Sequence, residues 1–144
     1  MATAPTGYSG RPLTAKLGFK MGMAALFLAL PDDLADLADW PDFAAVERRP
    51  DWGGRLPPRH FDLIHAFTRS RAEVAGRLTS LQAAIKPDGM IWVSWPKKAS
   101  KVASDVTEDV IRAEALKRDL VDVKVAAVDA VWSGLKLVIR KDRR

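Results

Sequence analysis

The chain has 144 residues, 48% of them hydrophobic, so it is long enough to bury a core and too apolar to be disordered. It contains no cysteine, which excludes disulfides, thiolate nucleophiles and cysteine-type zinc sites and suits the cytoplasm. The formal net charge is +5, yet residues 32–54 carry seven acidic and only two basic residues. Residues 55–101 carry nine basic and three acidic residues, so the charge forms local fields and does not indicate a uniformly basic nucleic-acid-binding protein.

The beginning of the chain predicts an arm followed by a buried strand. Residues 1–11 are small and polar with two glycines, so we predict a flexible N-terminal arm. Residues 21–30 are apolar like the core of a signal peptide, but they are too few to cross a bilayer, and Pro31 with two acids follows instead of a cleavage site. We therefore interpret residues 24–30 as the first strand and expect no membrane association.

Between this strand and residue 60 the predicted elements are short. Two aspartates begin a short helix at residues 32–40 whose leucines face inward, because acidic residues stabilise a helix N-terminus. Residues 43–46 predict a brief second strand. Residues 51–59 are rich in Gly and Pro and predict a loop.

The central stretch predicts a strand, a helix and a second strand. Residues 61–67 are mostly apolar, as in a strand covered on both faces, and residues 90–96 form its counterpart. Ser70 with Glu73 is a capping box for the helix between them, and residues 86–89 provide its stop and a turn. The inward stripe of this helix consists of Val74, Leu78, Leu81 and Ile85. Such a unit crosses over with a right hand.

The C-terminal part predicts one more helix and a hairpin. After a basic loop at residues 97–104, Asp105 and Glu108 form a second capping box. Val106, Val110, Ala113 and Lys117 mark its helix, and Ile111 and Ala115 lie beside this stripe. Residues 121–128 alternate, and residues 135–140 follow after a short turn, so the two segments form an antiparallel β-hairpin. The first of them faces one side of the sheet with Val121, Val123, Val125 and Ala127.

These elements predict a single α/β domain over residues 1–144, with a Rossmann-like, mostly parallel sheet and an antiparallel C-terminal β-hairpin. The predicted strand order is the first strand, residues 61–67, residues 90–96 and then the hairpin. The predicted core consists of Leu26, Leu28, Leu63, Ile64, Leu78, Leu81, Ile91, Val93, Val123, Val125, Leu137 and Ile139.

The order of elements resembles the second half of a class I methyltransferase fold with an abbreviated first half, over roughly residues 18–140. Several sequence phrases also resemble a family of small bacterial proteins catalogued only as a domain of unknown function. These phrases are Gly7-Tyr8-Ser9-Gly10, Trp95-Pro96-Lys97-Lys98-Ala99-Ser100, Thr107-Glu108-Asp109-Val110 and Val128-Asp129-Ala130-Val131-Trp132-Ser133-Gly134-Leu135-Lys136. The second resemblance implies a fold and a bacterial origin and no particular activity.

The turn after the first strand departs from the methyltransferase pattern. Nucleotide-binding turns at this point use glycines so that backbone N–H groups approach the ligand. Residues 28–33 contain no glycine, and they contain Pro31, which lacks an N–H, and two carboxylates. We therefore expect methyl-donor binding to be absent or weak. Glu47 is either a contact for a ribose or a solvated residue beside Arg48 and Arg49.

The histidines and tryptophans nominate no catalytic or metal-binding set. His60 and His65 are the only histidines, and the spacing of nearby acids gives no metal-ligand pattern. We interpret His65 and Trp92 as core residues. Trp95 and Trp132 are either packing anchors or aromatic platforms at the end of a strand.

Basic residues follow two strands that we predict to be neighbours. Because parallel strands end at the same edge of a sheet, we expect these loops to converge there on an anion. The predicted ligand-binding residues are Arg69, Ser70, Arg71, Lys97, Lys98, Lys101 and Trp132.

We therefore expect a non-catalytic binding or regulatory module that holds an anionic ligand, such as a phosphate-bearing small molecule, at the C-terminal edge of the sheet. Two alternatives stay open. One is a divergent methyltransferase. The other is a nucleic-acid accessory protein, which rests on the pI of about 9.7 and the basic residues 140–144. No cofactor is expected, and catalysis is the less favoured interpretation.

Overall fold

The structure is a computed structural model that describes residues 12–144, so the arm predicted at residues 1–11 lies outside the described residues. The described chain forms six strands: β1 Ala24–Leu28, β2 Ala45–Arg49, β3 Phe61–Phe67, β4 Ile85–Pro96, β5 Leu120–Ala127 and β6 Trp132–Ile139. The α-helices are α1 Leu13–Lys16, α2 Arg71–Ala84 and α3 Glu108–Leu116. Short 3₁₀ helices lie at Asp32–Asp39, Lys98–Ser100 and Lys141–Arg143. We call the first of these the acidic 3₁₀ helix.

All six strands belong to one sheet in the order β2-β1-β3-β4-β6-β5. The first four strands in this order are parallel, whereas β6 is antiparallel to both of its neighbours. The predicted α/β class, the mostly parallel sheet, the C-terminal hairpin and the strand order are therefore confirmed. The brief second strand also exists, but it covers Ala45–Arg49 and not residues 43–46.

Helices cover both faces of the sheet and bury two apolar layers. α2 and α3 pack on one face, where Val74, Leu78 and Leu81 are completely buried, as the predicted stripe requires. α1 and the acidic 3₁₀ helix cover the other face, where the indole of Trp92 donates to the carbonyl oxygen of Leu17 at 2.9 Å. Burying one large apolar side chain contributes ~1.5–3 kcal/mol, so these contacts hold the helices to the sheet.

Ten of the twelve predicted core residues are buried, and two are not. Val123 and Val125 are 53% and 49% exposed, so the prediction is wrong there. The cause is a bulge in β5 between Asp122 and Lys124. One extra residue moves the following side chains to the opposite faces, and Ala126 is buried instead.

The predicted face of α3 is also wrong in part. Ile111 and Ala115, which were predicted beside the stripe, are buried together with Glu114. Ala113 and Lys117 of the stripe itself are exposed. The pattern was misleading because a buried acid, Glu114, interrupts the apolar spacing.

Two predicted helix boundaries differ from the structure. Thr107 caps α3, because its Oγ1 accepts the N–H of Val110 at 3.2 Å. Asp105, the predicted cap, instead accepts the N–H of Arg71 in the first turn of α2 at 2.7 Å. Residues 86–89, the predicted stop and turn, lie within β4. Ile85, the last residue of the stripe predicted for α2, is the first residue of this strand.

Candidate functional site

A cleft of about 720 Å³ opens at the C-terminal ends of β1 and β3. The chain leaves β1 towards the acidic 3₁₀ helix on one face and leaves β3 towards α2 on the other. Open α/β sheets bind ligands at such a divergence. We call this space the main cleft. It is lined by Ala29, Pro31, Pro50, Asp51, Phe67, Thr68, Arg69, Ser70, Glu73, Ala103 and Trp132.

Ala29, the first residue after β1, has an unusual backbone conformation. Its φ of 54° lies in the left-handed region, which favours glycine and is strained for alanine. Its N–H donates to the carbonyl oxygen of Arg49 at 2.9 Å, which ties the turn to the end of β2. At this one position the turn therefore has the backbone shape that glycine adopts readily, although residues 28–33 contain no glycine.

Thr68, at the end of β3, organises a polar wall of the main cleft and is only 4% exposed. Its hydroxyl donates to Glu73 Oε1 at 2.6 Å and accepts the N–H of Ser70 at 3.0 Å. Ser70 Oγ accepts the N–H of Glu73 at 3.2 Å, which confirms Ser70 as the cap of α2. The other half of the predicted capping box is absent, because the N–H of Ser70 donates to Thr68 and not to Glu73. The carboxylate of Glu73 is therefore held in a fixed place in the wall.

The loop between β2 and β3 forms the opposite wall of the main cleft. Trp52 is buried in this loop, and its Nε1 donates to the carbonyl oxygen of Phe67 at 2.8 Å. Arg77 of α2 donates to the carbonyl oxygens of Trp52 and Gly54 at 2.9 and 2.6 Å. These bonds fix the loop and so place Asp51, which lines the cleft.

An aromatic corner closes one side of the main cleft. The rings of Phe67 and Trp132 lie with their centroids 5.2 Å apart and their planes at 86°. The carboxylate of Asp129 accepts the N–H of Trp132 at 2.7 Å and fixes the turn before β6. Trp132 is partly exposed, so one part of its ring is free to contact a ligand.

The structure brings together three of the seven predicted ligand-binding residues. Arg69, Ser70 and Trp132 line the main cleft. The other four do not line it: Arg71, Lys97, Lys98 and Lys101.

Arg71 is the first residue of α2, and the other three residues belong to the basic loop after β4. Lys97 Nζ donates to the carbonyl oxygen of Asp129 at 2.8 Å and supports the turn before β6. Lys98 lies in a 3₁₀ helix, and Lys101, with a φ of 62°, ends it in the left-handed region. The basic loop reaches the cleft through Ala103 instead.

A second lobe of about 400 Å³ adjoins the main cleft, because Ala29 and Pro50 line both spaces. Asp32, Arg48 and Arg49 also line the second lobe. It lies over the ends of β1 and β2.

Glu47, the predicted alternative contact for a ribose, does not line either space. Its carboxylate forms an ion pair with Arg49 Nε at 2.5 Å. Arg49 Nη1 also donates to the carbonyl oxygen of Arg55 at 2.8 Å. Glu47 therefore holds an arginine in place instead of presenting a free carboxylate to a ligand.

His65 lies behind the main cleft and is fully buried. Its ring stacks on Phe67 with centroids 4.3 Å apart, and its Nε2 lies 2.7 Å from Ser94 Oγ. Burial lowers the pKa of His65 to about 3, so the imidazole is neutral at physiological pH. The prediction of a core histidine is confirmed.

Within residues 12–144, no group of three or more His, Asp or Glu is placed to hold a metal ion. No helix in the same range is both long and apolar enough to cross a membrane.

Sequence reasoning did not place Asp51, Trp52 or Glu73 at the site. The first two fell in a segment predicted only as a loop, and Glu73 was assigned only to a helix cap. A single tryptophan in a Gly- and Pro-rich stretch was the available signal, because so large an apolar side chain is usually buried against something.

The chain matches no protein-family model and no curated protein sequence. Solved structures do match. A SAM-dependent methyltransferase from Leishmania major is 14% identical with a TM-score of 0.60, over 90% of this chain and 67% of that one. One from Aquifex aeolicus is 14% identical with a TM-score of 0.59, over 88% and 87%. One from Mesorhizobium loti is 12% identical with a TM-score of 0.58, over 87% and 94%.

Identities this low describe shape and not activity. The shared shape extends over 87–90% of this chain. The chain therefore has the fold of the S-adenosylmethionine-dependent class I methyltransferases.

Proposed function

We propose that the chain is a divergent methyltransferase that binds a sulfonium methyl donor of the S-adenosylmethionine class in the main cleft. The observation that carries the proposal is the position of this cleft, where the connections after β1 and β3 diverge in a fold shared with such methyltransferases. The fold comparisons give no support to the anion-binding module, which becomes the second candidate.

The charges and size of the main cleft fit such a donor. Asp51 and Glu73 contribute two carboxylates to its lining and Arg69 contributes one guanidinium, which leaves a net negative charge. A sulfonium donor carries two positive charges and one carboxylate, so the two sets of charges are complementary. The volume of about 720 Å³ is typical of a small-molecule site.

Four residues of the lining have a direct role in this proposal. Asp51, just beyond β2, would accept hydrogen bonds from ribose hydroxyls, and Arg69 would pair with the donor carboxylate. Trp132 would contact the sulfonium through its ring face. Glu73, held by Thr68, is placed to accept a proton from an acceptor hydroxyl or amine. When bound, the donor supplies an electrophilic methyl group.

The turn after β1 limits the affinity. Pro31 offers no N–H to the ligand, so this turn contributes fewer backbone hydrogen bonds than a glycine-rich one. The left-handed Ala29 lets the backbone turn tightly at the cleft, which glycine does in other nucleotide sites. We therefore expect micromolar and not nanomolar dissociation constants.

The test is calorimetric titration of the purified protein with S-adenosylmethionine and S-adenosylhomocysteine. Asp51→Asn should weaken binding by roughly tenfold, because it removes one charged hydrogen-bond acceptor and keeps the side-chain shape. Asp88→Asn makes the same change at an exposed residue of β4 outside both cleft spaces and should leave binding unchanged. No heat of binding up to millimolar concentrations of either compound would refute the proposal.

The second candidate is the anion-binding module, which Arg69 and Ser70 favour because they line the main cleft beside the N-terminus of α2. Sulfate should then raise the melting temperature more than chloride at matched ionic strength. Arg69→Ala should abolish the difference and Lys98→Ala should keep it. An unchanged difference in Arg69→Ala would show that these residues form only a solvated basic surface.

A further inference from the structure

β2 ends in two arginines at the place where related nucleotide sites read the ribose. Arg48 and Arg49 are the last residues of β2 and lie in register with Phe27 and Leu28, the last residues of β1. In dinucleotide-binding α/β sheets an acid near this point accepts hydrogen bonds from ribose hydroxyls, whereas an arginine accommodates a phosphate on the ribose. The end of β2 therefore carries arginines at a position where an acid would accept hydrogen bonds from a ribose.

The two arginines differ in how their side chains are used. The guanidinium of Arg49 is bound to Glu47 and to the carbonyl oxygen of Arg55. The side chain of Arg48 is exposed, lines the second lobe and forms no hydrogen bond or ion pair with the described residues. Arg49 thus supports the loop, whereas the guanidinium N–H groups of Arg48 are available to a ligand.

From this arrangement we propose that the second lobe is a phosphate subsite and that its ligand is an adenine nucleoside carrying a phosphate monoester on its ribose. The guanidinium of Arg48 would grip two phosphate oxygens with parallel hydrogen bonds. The nucleoside would extend into the main cleft, because Ala29 and Pro50 line both spaces. The inference rests on the proposed function only in placing a nucleoside in the main cleft.

One residue of the second lobe opposes phosphate binding. Asp32 lines the same space, and its carboxylate repels a phosphate. Asp32→Asn removes this repulsion and should therefore strengthen phosphate binding, whereas most substitutions in a binding site weaken it. A residue that acted only through the fold would not be expected to do so.

The experiment compares adenosine with adenosine 2′-monophosphate and adenosine 3′-monophosphate by calorimetry at constant ionic strength. One of the monophosphates should bind roughly tenfold or more tightly than adenosine, because a charged hydrogen-bonded pair is added. Arg48→Ala should remove this advantage, and Asp32→Asn should enlarge it. Arg55→Ala is the matched control, since it removes an arginine whose side chain lines neither cleft space.

The outcomes separate this inference from the proposed function. Equal affinities for adenosine and both monophosphates, or equal losses in Arg48→Ala and Arg55→Ala, would overturn the phosphate subsite. Binding of S-adenosylhomocysteine, the demethylated form of the donor, is measured separately. Neither of these two results would contradict the proposed function. A phosphate advantage that depends on Arg48, in a protein that does not bind S-adenosylhomocysteine, would support the subsite and refute the methyltransferase.

Discussion

At the scale of single residues, a neutral imidazole is enclosed in the sheet beside the main cleft. His65 has no exposed surface, and its Nδ1 is buried without a partner among the described residues. Burial lowers its pKa from 6.5 to about 3. Below pH 6.5 the unfolded chain therefore binds a proton that the folded protein does not bind. The free energy of unfolding then decreases as the pH is lowered from 6.5 to about 3.

This linkage predicts that His65 makes the free energy of unfolding depend on pH between pH 6.5 and pH 5. Each pH unit within the window corresponds to about 1.4 kcal/mol, so wild-type protein should lose about 2 kcal/mol between pH 6.5 and pH 5. His65→Gln keeps a neutral hydrogen-bonding side chain near Ser94 and should lack this loss. Urea denaturation at several pH values measures it.

The matched control is His60→Gln, which removes an exposed histidine. This variant should retain the pH dependence of the wild type. If His65→Gln and wild type lost stability in parallel as the pH fell, the burial of a neutral imidazole would not be the cause.

At the scale of elements, one arginine joins α2 to α3. Arg118 donates to Thr79 Oγ1 at 2.8 Å and to the carbonyl oxygen of Ala75 at 2.9 Å on α2. It also forms an ion pair with Glu114 of α3 at 3.1 Å, and Glu114 is only 6% exposed. Hydrogen bonds from Lys117 and Arg118 hold the pKa of Glu114 below its ordinary value, so this carboxylate stays charged.

Arg118→Ala should destabilise the protein by about 3 kcal/mol, because it leaves Glu114 buried with one exposed partner. Lys117→Ala removes that other partner, whose side chain is 67% exposed, and should cost less than about 1 kcal/mol. Chemical denaturation of both variants tests the difference. Similar losses would mean that burial does not distinguish the two ion pairs.

Leu81 tests the packing of α2 on the sheet. It is completely buried, so Leu81→Ala should cost about 2–5 kcal/mol through lost contacts and a cavity. Leu116→Ala is the same change on a leucine that is 53% exposed and should cost less than about 1 kcal/mol. A loss of less than about 1 kcal/mol in Leu81→Ala would contradict the packing.

The elements that could be predicted from the sequence are those with an unbroken apolar period. α2 repeats its leucines regularly and starts at a local cap, Ser70, so its face and its start were both readable. β5 contains a bulge, which has no marker in the sequence, and one inserted residue was enough to misplace Val123 and Val125. The buried face of α3 contains a charged residue, Glu114. Its burial is possible because Lys117 and Arg118 form ion pairs with it.

The site was harder to predict from the sequence than the fold, because loop residues have no hydrophobic period that indicates which side chain is buried. Arg69 and Ser70 of the first basic loop line the main cleft, whereas the second basic loop reaches it only through Ala103. Lys97 was expected to face a ligand but is bound to a carbonyl oxygen across the turn, a contact between distant positions.

At the scale of the whole molecule, the loop between β2 and β3 connects α2 to both cleft spaces. Arg77 holds this loop by two hydrogen bonds, and Pro50 at its start lines both spaces. Arg77→Ala should destabilise the loop by about 1–3 kcal/mol and leave the sheet intact. Amide hydrogen exchange should therefore accelerate in residues 50–56 and remain unchanged in β4. Uniform acceleration would show instead that the loop opens only with the whole protein.

The distribution of the tryptophans makes the intrinsic fluorescence of the protein a measure of ligand binding in the main cleft. Trp52, Trp92 and Trp95 are buried, whereas Trp132 in the main cleft and Trp40, just after the acidic 3₁₀ helix, are partly exposed. In a Trp40→Phe variant, acrylamide should therefore quench the fluorescence of one emitter among four. A ligand that covers Trp132 should shield that emitter, so unlabelled protein would report occupancy of the main cleft through its own emission.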